Sequence, residues 1–189
     1  IMHLMAKEHG IKYKNISYVP GSDVRALGLL RGNIKASIVD INNRNYVQRE
    51  APDKFLILPM GQVSASDESL FATKEFLDKN KAAVNILVEE LLSVTREINA
   101  NPKSMAEERK KLGILKDLPA KVEEEITPYF EEAVRNGIFS NNGGGEMAAK
   151  SDLEFYTLSG QIKGENLKVE DFWDMAPLKA AYSKMGFKK

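Results

Sequence analysis

Four polar side chains that could hold a small molecule are clustered early in the sequence: Ser22, Asp23, Asp40 and Asn42. The first two follow a proline–glycine turn at the predicted start of a helix, where side-chain oxygens accept the first backbone N–H groups. Asp40 ends a predicted buried strand, and ligands of α/β proteins bind outside the carboxyl ends of strands. The pattern therefore predicts a ligand-binding edge. An ordinary helix–strand unit with a polar rim is the alternative.

No catalytic or metal-binding set accompanies these residues. His3 and His9 are six positions apart, which places them on different faces of a helix rather than in the i, i+4 pair that holds a metal. The sequence has no cysteine, and this excludes thiolate sites and a cysteine nucleophile. The charged runs Arg109–Lys111 and Glu123–Glu125 are typical of solvated helix faces. We therefore predict no enzyme activity, no metal and no cofactor.

The first third of the chain alternates between helix and strand patterns. Short apolar runs predict strands at Ile16–Val19, Ala36–Val39 and Phe55–Leu58. Amphipathic or polar stretches between them predict helices, the first of which ends at the turn residues Gly32 and Asn33. Such alternation is the signature of a parallel sheet with crossover helices, so the sequence predicts an α/β fold for this part.

The rest of the chain is predicted to be mostly helical. A small, polar segment at 61–67 resembles a linker, and a further strand is predicted at Leu70–Thr73. Apolar residues then recur at helical spacing across 81–99 and 119–136. Gly113 and Gly137 are predicted to end helices, and further helices are predicted over 146–159 and 176–185. The glycine-rich segment Asn141–Gly145 lacks the Gly-Lys-Ser/Thr ending of a phosphate-binding loop, so we expect a flexible linker there.

Composition limits the kind of partner. The formal net charge is zero, which gives no reason to expect binding to nucleic acid. Residues 1–60 carry nine Lys and Arg against five Asp and Glu, and this mild excess favours an anionic ligand. The chain has no apolar run long enough to span a bilayer, and its start resembles the middle of a helix rather than a signal peptide. We therefore expect that it begins inside a longer protein.

Several segments, taken in order, resemble one family of bacterial proteins. The segments are PGSD at 20–23, LLRGNIKA at 29–36 with Asp40, LFATKEFL at 70–77, INANP at 98–102, SGQIK at 159–163 and VEDFWD at 169–174. Together they resemble the solute-binding proteins of ABC transporters, in the subfamily that handles nitrate, sulfonate, taurine and thiamine-pyrimidine ligands. The match spans nearly the whole chain in the right order.

The resemblance implies a type II periplasmic-binding-protein-like fold. Residues 1–66 would be a partial second lobe, and residues 67–189 a mostly helical return segment belonging to the first lobe. The implied function is binding of a small anionic or heteroaromatic molecule between two lobes, in partnership with a membrane ABC permease. The implied location is periplasmic or extracellular and membrane-anchored. Because a lobe without its central strands exposes apolar faces, we expect a homodimer, a domain swap or a larger parent molecule to cover them.

Three other functions stay open from the sequence. A ligand-sensing regulatory domain shares the implied architecture, and an upstream helix-turn-helix would favour it. A thiamine-pyrimidine-synthase-like enzyme also resembles this family, but its cysteine-rich motif is absent here. A helical interaction module is the fourth reading, because most of 75–187 is predicted to be amphipathic helix.

Overall fold

Helices make up the regular structure of the residues that the computed structural model describes, which are 2, 6–7, 9–58, 66 and 69–188. The chain divides into two units, residues 1–63 and residues 64–189. The predicted linker at 61–67 falls, apart from Ser66, outside the described residues, and so does His3.

The first unit contains two packed helices, α1 (Ser22–Leu30) and α2 (Ile41–Glu50). Ala26 and Leu29 of α1 are buried, as is Val47 of α2. Gly28 lets the chain fold back tightly, because a Cβ at this position would lie 2.6 Å from the Ile34 side chain. The helix ends as the sequence predicts, with Gly32 at a φ of 77°.

The prediction of an α/β, type II periplasmic-binding-protein-like fold is wrong. Across 9–58 and 69–188 the backbone forms no strand, and the predicted strands at 16–19, 36–39, 55–58 and 70–73 are irregular. Each run is only four residues long, and such a segment becomes a strand only when a neighbour pairs with its backbone. Ile16 and Leu56 instead have 51% and 85% of their surface exposed.

Arg25 joins two of these irregular segments to α1. Its Nε donates to the carbonyl of Ile38 over 2.8 Å, and its Nη1 donates to the carbonyl of Val19 over 3.0 Å. These carbonyls lie in two of the predicted strands, where a neighbouring strand would have supplied the donors. The Arg25 side chain therefore contacts both segments, although no sheet joins them.

The second unit is arranged around one long helix. Its helices are α3 (Lys74–Lys79), α4 (Lys81–Ala100), α5 (Ser104–Leu112), α6 (Ala120–Arg135), α7 (Gly145–Leu158) and α8 (Ala176–Met185), with a 3₁₀ turn at Val169–Asp171. The helix α4 packs most extensively against α8 and also contacts α3, α5 and α6. The helix α5 packs against α6, and α7 packs against the 3₁₀ turn.

The side of α4 that packs inward differs in part from the side that its apolar spacing predicts. The face that packs inward carries Leu92 and Arg96, both buried. The apolar residues that the sequence places on the packing face of α4 are divided. Leu87, Leu91 and Val94 have 49%, 43% and 42% of their surface in solvent, whereas Ile98 is buried. A stripe at i, i+4 and i+7 is the spacing that normally packs against a neighbour.

Candidate functional site

The structure brings Ser22 and Asp40 into direct contact. The backbone N–H of Asp40 donates to the Ser22 hydroxyl oxygen over 2.8 Å. Ser22 is the first residue of α1, and Asp40 immediately precedes α2. The N-termini of the two helices therefore lie at the same edge of the first unit, although 18 positions separate the two residues in sequence.

Asp40 is the N-cap of α2. Its carboxylate accepts a hydrogen bond from the backbone N–H of Asn43 over 2.8 Å, and the Asn43 side-chain amide donates to both of its oxygens. Burial acts to raise the pKa of Asp40, but the hydrogen bonds from Asn43, from the Ser22 hydroxyl and from the Asn42 backbone lower it below its ordinary value. The Asp40 carboxyl group is thus ionised at neutral pH. In that form it can act as a helix cap and as a ligand-binding group.

The other two predicted site residues flank this pair. Asn42 lies in the first turn of α2 with an exposed side chain, beside Asp40. Asp23 is exposed in the first turn of α1 and folds back over Gly21, where a Cβ would stand 2.6 Å from its Oδ1 atom. Because Gly21 has a φ of 78°, glycine suits this turn for two reasons. No hydrogen bond among the described residues joins Asp23 to Ser22 or Asp40.

Two details of the capping differ from the sequence prediction. Ser22 and Asp23 are predicted to cap α1, but the N-cap is Gly21 and no side chain caps that helix. The Ser22 hydroxyl is used instead to hold Asp40. Asn42 or Asn43 is predicted to cap α2, but Asp40 has that role. Asp40 was predicted to end a strand, and it also immediately precedes a helix. In the structure the strand is absent and Asp40 caps the helix.

The sequence reasoning missed Arg25, which fixes the positions of Val19 and Ile38 on either side of α1. The available signal was an arginine in the first turn of α1 with no acidic residue at i+3 or i+4, which leaves its N–H donors to other acceptors. Arg25 therefore positions the segment that leads into Asp40.

The exposed groups at this edge can accept and donate hydrogen bonds. The carboxylates of Asp23 and Asp40 are acceptors, whereas Asn42 offers both an amide oxygen and an amide nitrogen. Two helix N-termini add a positive electrostatic potential, which the two carboxylates oppose. Within the part of the chain that the structure describes, no three His, Cys, Asp or Glu residues are grouped so as to hold a metal ion.

A second polar network lies in the other unit, around Arg96. This buried guanidinium donates to the carbonyls of Asn141, Met185 and Gly186 and to the side-chain oxygen of Asn142, at 2.6–3.4 Å. All of these acceptors are neutral, and two of them lie at the C-terminus of α8, where the helix dipole favours a cation. Arg96 therefore joins α4, the loop at 139–144 and the end of α8.

The glycine-rich segment Asn141–Gly145, which was predicted to be a flexible linker, forms hydrogen bonds with α4 and α8. Asn99 donates to Asn141, and the Tyr182 hydroxyl donates to the Asn142 carbonyl. Gly143, Gly144 and Gly145 have φ values of 61°, 75° and 67°, which side-chain-bearing residues rarely adopt. The three glycines therefore allow the backbone conformation with which the chain turns into α7.

A cavity of about 420 Å³ adjoins this loop and α8. Leu178, Met175 and Phe187 provide an apolar lining, and Glu146 and Lys179 lie at its polar side. Burial raises the pKa of Tyr182, which also lines the cavity, although the Arg96 charge acts against this shift. The phenol therefore stays protonated and keeps its hydrogen bond to the loop.

Comparison with known proteins gives no match to a protein-family model, to a curated protein or to a solved structure. None of the helices in the described segments is long and apolar enough to cross a bilayer.

Proposed function

We propose that this chain contributes to the solute-binding component of an ABC importer and binds a small molecule at the edge formed by Ser22, Asp23, Asp40 and Asn42. The observation that carries the proposal is the hydrogen bond from the Asp40 N–H to the Ser22 hydroxyl, which sets two helix N-termini side by side. The ordered sequence segments that resemble this family also support it. The two-lobed fold of that family is not part of the proposal.

The charges at this edge narrow the ligand class. A simple anion would be attracted by the helix N-termini but repelled by the carboxylates of Asp23 and Asp40. A heteroaromatic ligand with an exocyclic amine would donate to a carboxylate and accept from the Asn42 amide. Of the anionic and heteroaromatic ligands suggested by the sequence, the amine-bearing heteroaromatic class is therefore favoured.

The partners follow from this proposal. A solute-binding component delivers its ligand to a membrane ABC permease, and it works in the periplasm or in an extracellular, membrane-anchored form. A ligand-sensing regulatory domain would use the same binding groups. Binding of an aminopyrimidine is thus common to both functions, whereas stimulation of a permease in reconstituted vesicles is specific to the first.

The binding proposal is tested on the full chain by calorimetric titration with a panel of aminopyrimidines, aromatic acids, alkyl sulfonates and nitrate. We expect an aminopyrimidine to bind and to raise Tm as its concentration rises. Asp40→Asn keeps a good helix cap but removes the charge. It should weaken binding at least about tenfold, because a charge-assisted hydrogen bond is lost.

Asp53→Asn is the matched control, since it removes an exposed carboxylate elsewhere in the same unit. It should leave the affinity unchanged. If no compound in the panel binds, or if Asp40→Asn and Asp53→Asn bind equally well, the proposed ligand edge is wrong.

A further inference from the structure

The chain exposes far more surface than its size requires. Its accessible surface is 14208 Å², whereas two separately folded domains of one third and two thirds of its 21.1 kDa mass would expose about 11,000 Å². The excess is about 3,000 Å², and an obligate dimer buries roughly 1,000–2,500 Å² per chain. No large side chain among the described residues is fully buried. This excess belongs to both units together, so it permits a stable dimer without locating the interface.

One exposed surface in the second unit is apolar with an acidic edge. We call it the α4 stripe, and it consists of Leu87, Leu91 and Val94 with the exposed Glu90 and Glu97 along one side. The opposite side of α4 packs against α8 and the loop at 139–144. A partner that binds the stripe would therefore lie beside this acidic edge.

A second exposed surface in the same unit is apolar with a basic edge. We call it the α5 knob, and it consists of Leu112, Ile114 and Leu115 with the exposed Lys111 and Lys116. Its three apolar side chains have 65%, 51% and 64% of their surface in solvent. The knob and the stripe thus both have apolar centres. The knob carries Lys116 and a Lys111 that also pairs with Glu108 over 3.1 Å, whereas the stripe carries Glu90 and Glu97.

The α5 knob is held in a strained conformation. Leu115 has a φ of 52°, which costs a non-glycine residue energy unless its surroundings impose it. Arg109 imposes it, because its Nη1 donates to the carbonyls of Ile114 and Leu115 at 3.1 and 2.8 Å while its Nη2 pairs with Glu123. The Arg109 Nε is buried without a hydrogen bond. Arg109 therefore holds the exposed Leu115 in one backbone conformation.

We propose that the second unit pairs with a second copy of this chain, the α5 knob of each copy docking on the α4 stripe of the other. Each copy carries both surfaces, so a two-fold axis satisfies both contacts at once. Antiparallel pairing of two α4 stripes is disfavoured, because their acidic edges would face each other.

The test is a charge exchange measured by sedimentation equilibrium on the full chain, with circular dichroism as the check on folding. Glu90→Lys with Glu97→Lys reverses the stripe, and Lys111→Glu with Lys116→Glu reverses the knob. Each double variant alone places like charges in both contacts and should dimerise at least about tenfold more weakly than the wild type. An equimolar mixture of the two restores opposite charges in both contacts and should dimerise about as tightly as the wild type.

Two further variants complete the design. Leu91→Asn removes the centre of the stripe and should also weaken the dimer, whereas Lys163→Glu alters an exposed loop lysine outside both surfaces and should not. A wild-type chain that stays monomeric at roughly 100 µM, in the range where specific homodimers form, overturns the proposal. So does a mixture that associates no better than its components, even where the wild type is a dimer. Neither result bears on ligand binding at Asp40.

Discussion

The Ser22 hydroxyl oxygen accepts a hydrogen bond from the backbone N–H of Asp40, and this one contact joins the starts of α1 and α2. The donor is one of the backbone groups that precede a helix and that no intrahelical partner can satisfy. Ser22 therefore has a structural function in addition to the binding function proposed for it.

Ser22→Ala should lower the free energy of unfolding of the first unit by about 1 kcal/mol, because the Asp40 N–H loses its partner. Ser22→Thr keeps a hydroxyl and should recover most of the loss. Urea unfolding followed by circular dichroism measures both. An alanine variant as stable as the wild type would show that solvent replaces the hydroxyl at no cost.

The stability of the first unit should depend on pH through Asp40. Because the folded-state pKa lies below the unfolded value, the stabilisation is present above about pH 4 and is lost as the pH falls through the folded-state pKa. Asp40→Asn has no carboxylate to protonate at this position. The wild type should therefore lose more stability than the variant between about pH 6 and pH 2.5, as measured by urea midpoints. Parallel losses in the two proteins would contradict this prediction.

Arg96→Met should destabilise the second unit by about 2–4 kcal/mol, because several buried carbonyls lose their donor. The effect should be largest near Gly186 and Lys188, since the Lys188 N–H donates to Asn142, which Arg96 also contacts. Hydrogen exchange at the Lys188 amide measures this local opening. Arg135→Met, at an exposed arginine of α6, should change stability by less than about 0.5 kcal/mol. Equal effects of the two variants would rule out a special role for Arg96.

A comparison of Gly145→Ala with Gly137→Ala distinguishes the cost of backbone strain from the cost of steric crowding. The two glycines have φ values of 67° and 68°, so an added Cβ costs about 1 kcal/mol at either position. At Gly145 that Cβ would also stand 3.2 Å from the Tyr182 hydroxyl, whereas at Gly137 it meets nothing within 4 Å. Gly145→Ala should therefore be more destabilising by about 1 kcal/mol in thermal unfolding. A larger loss at Gly137 would mean that the loop adjusts freely around Tyr182.

Local helix signals in this sequence were predictive. The last helix was expected over 176–185 and lies at Ala176–Met185. Gly113 and Gly137 were expected to end their helices, and both follow a helix with positive φ. These features depend on residues within one or two turns, so a single sequence carries them.

The predicted strands failed because their formation depends on distant residues. Phe55–Leu58 has the composition of a buried strand, but nothing within the run supplies a backbone partner. The prediction of which α4 side chains pack inward missed Arg96 for a related reason. The buried Arg96 has acceptors 45 to 90 positions later in the chain, which helical periodicity cannot reveal. At the candidate site, Asp40 was placed beside the start of α1 because it was predicted to end a strand. That strand does not form, and the hydrogen bond between Ser22 and Asp40 was not predicted.

The contacts of Arg96 set an order of events during synthesis. A nascent helix α4 emerges from the ribosome with a cationic side chain on its inward face, and the Gly186 carbonyl follows only 90 residues later. At the usual elongation rate of about 5–20 residues per second, this delay lasts roughly 5–18 s. The first unit has all of its internal partners by then and can fold early. The second unit spends that interval with the side of α4 that α8 covers still exposed, and this is when chaperone binding would matter most.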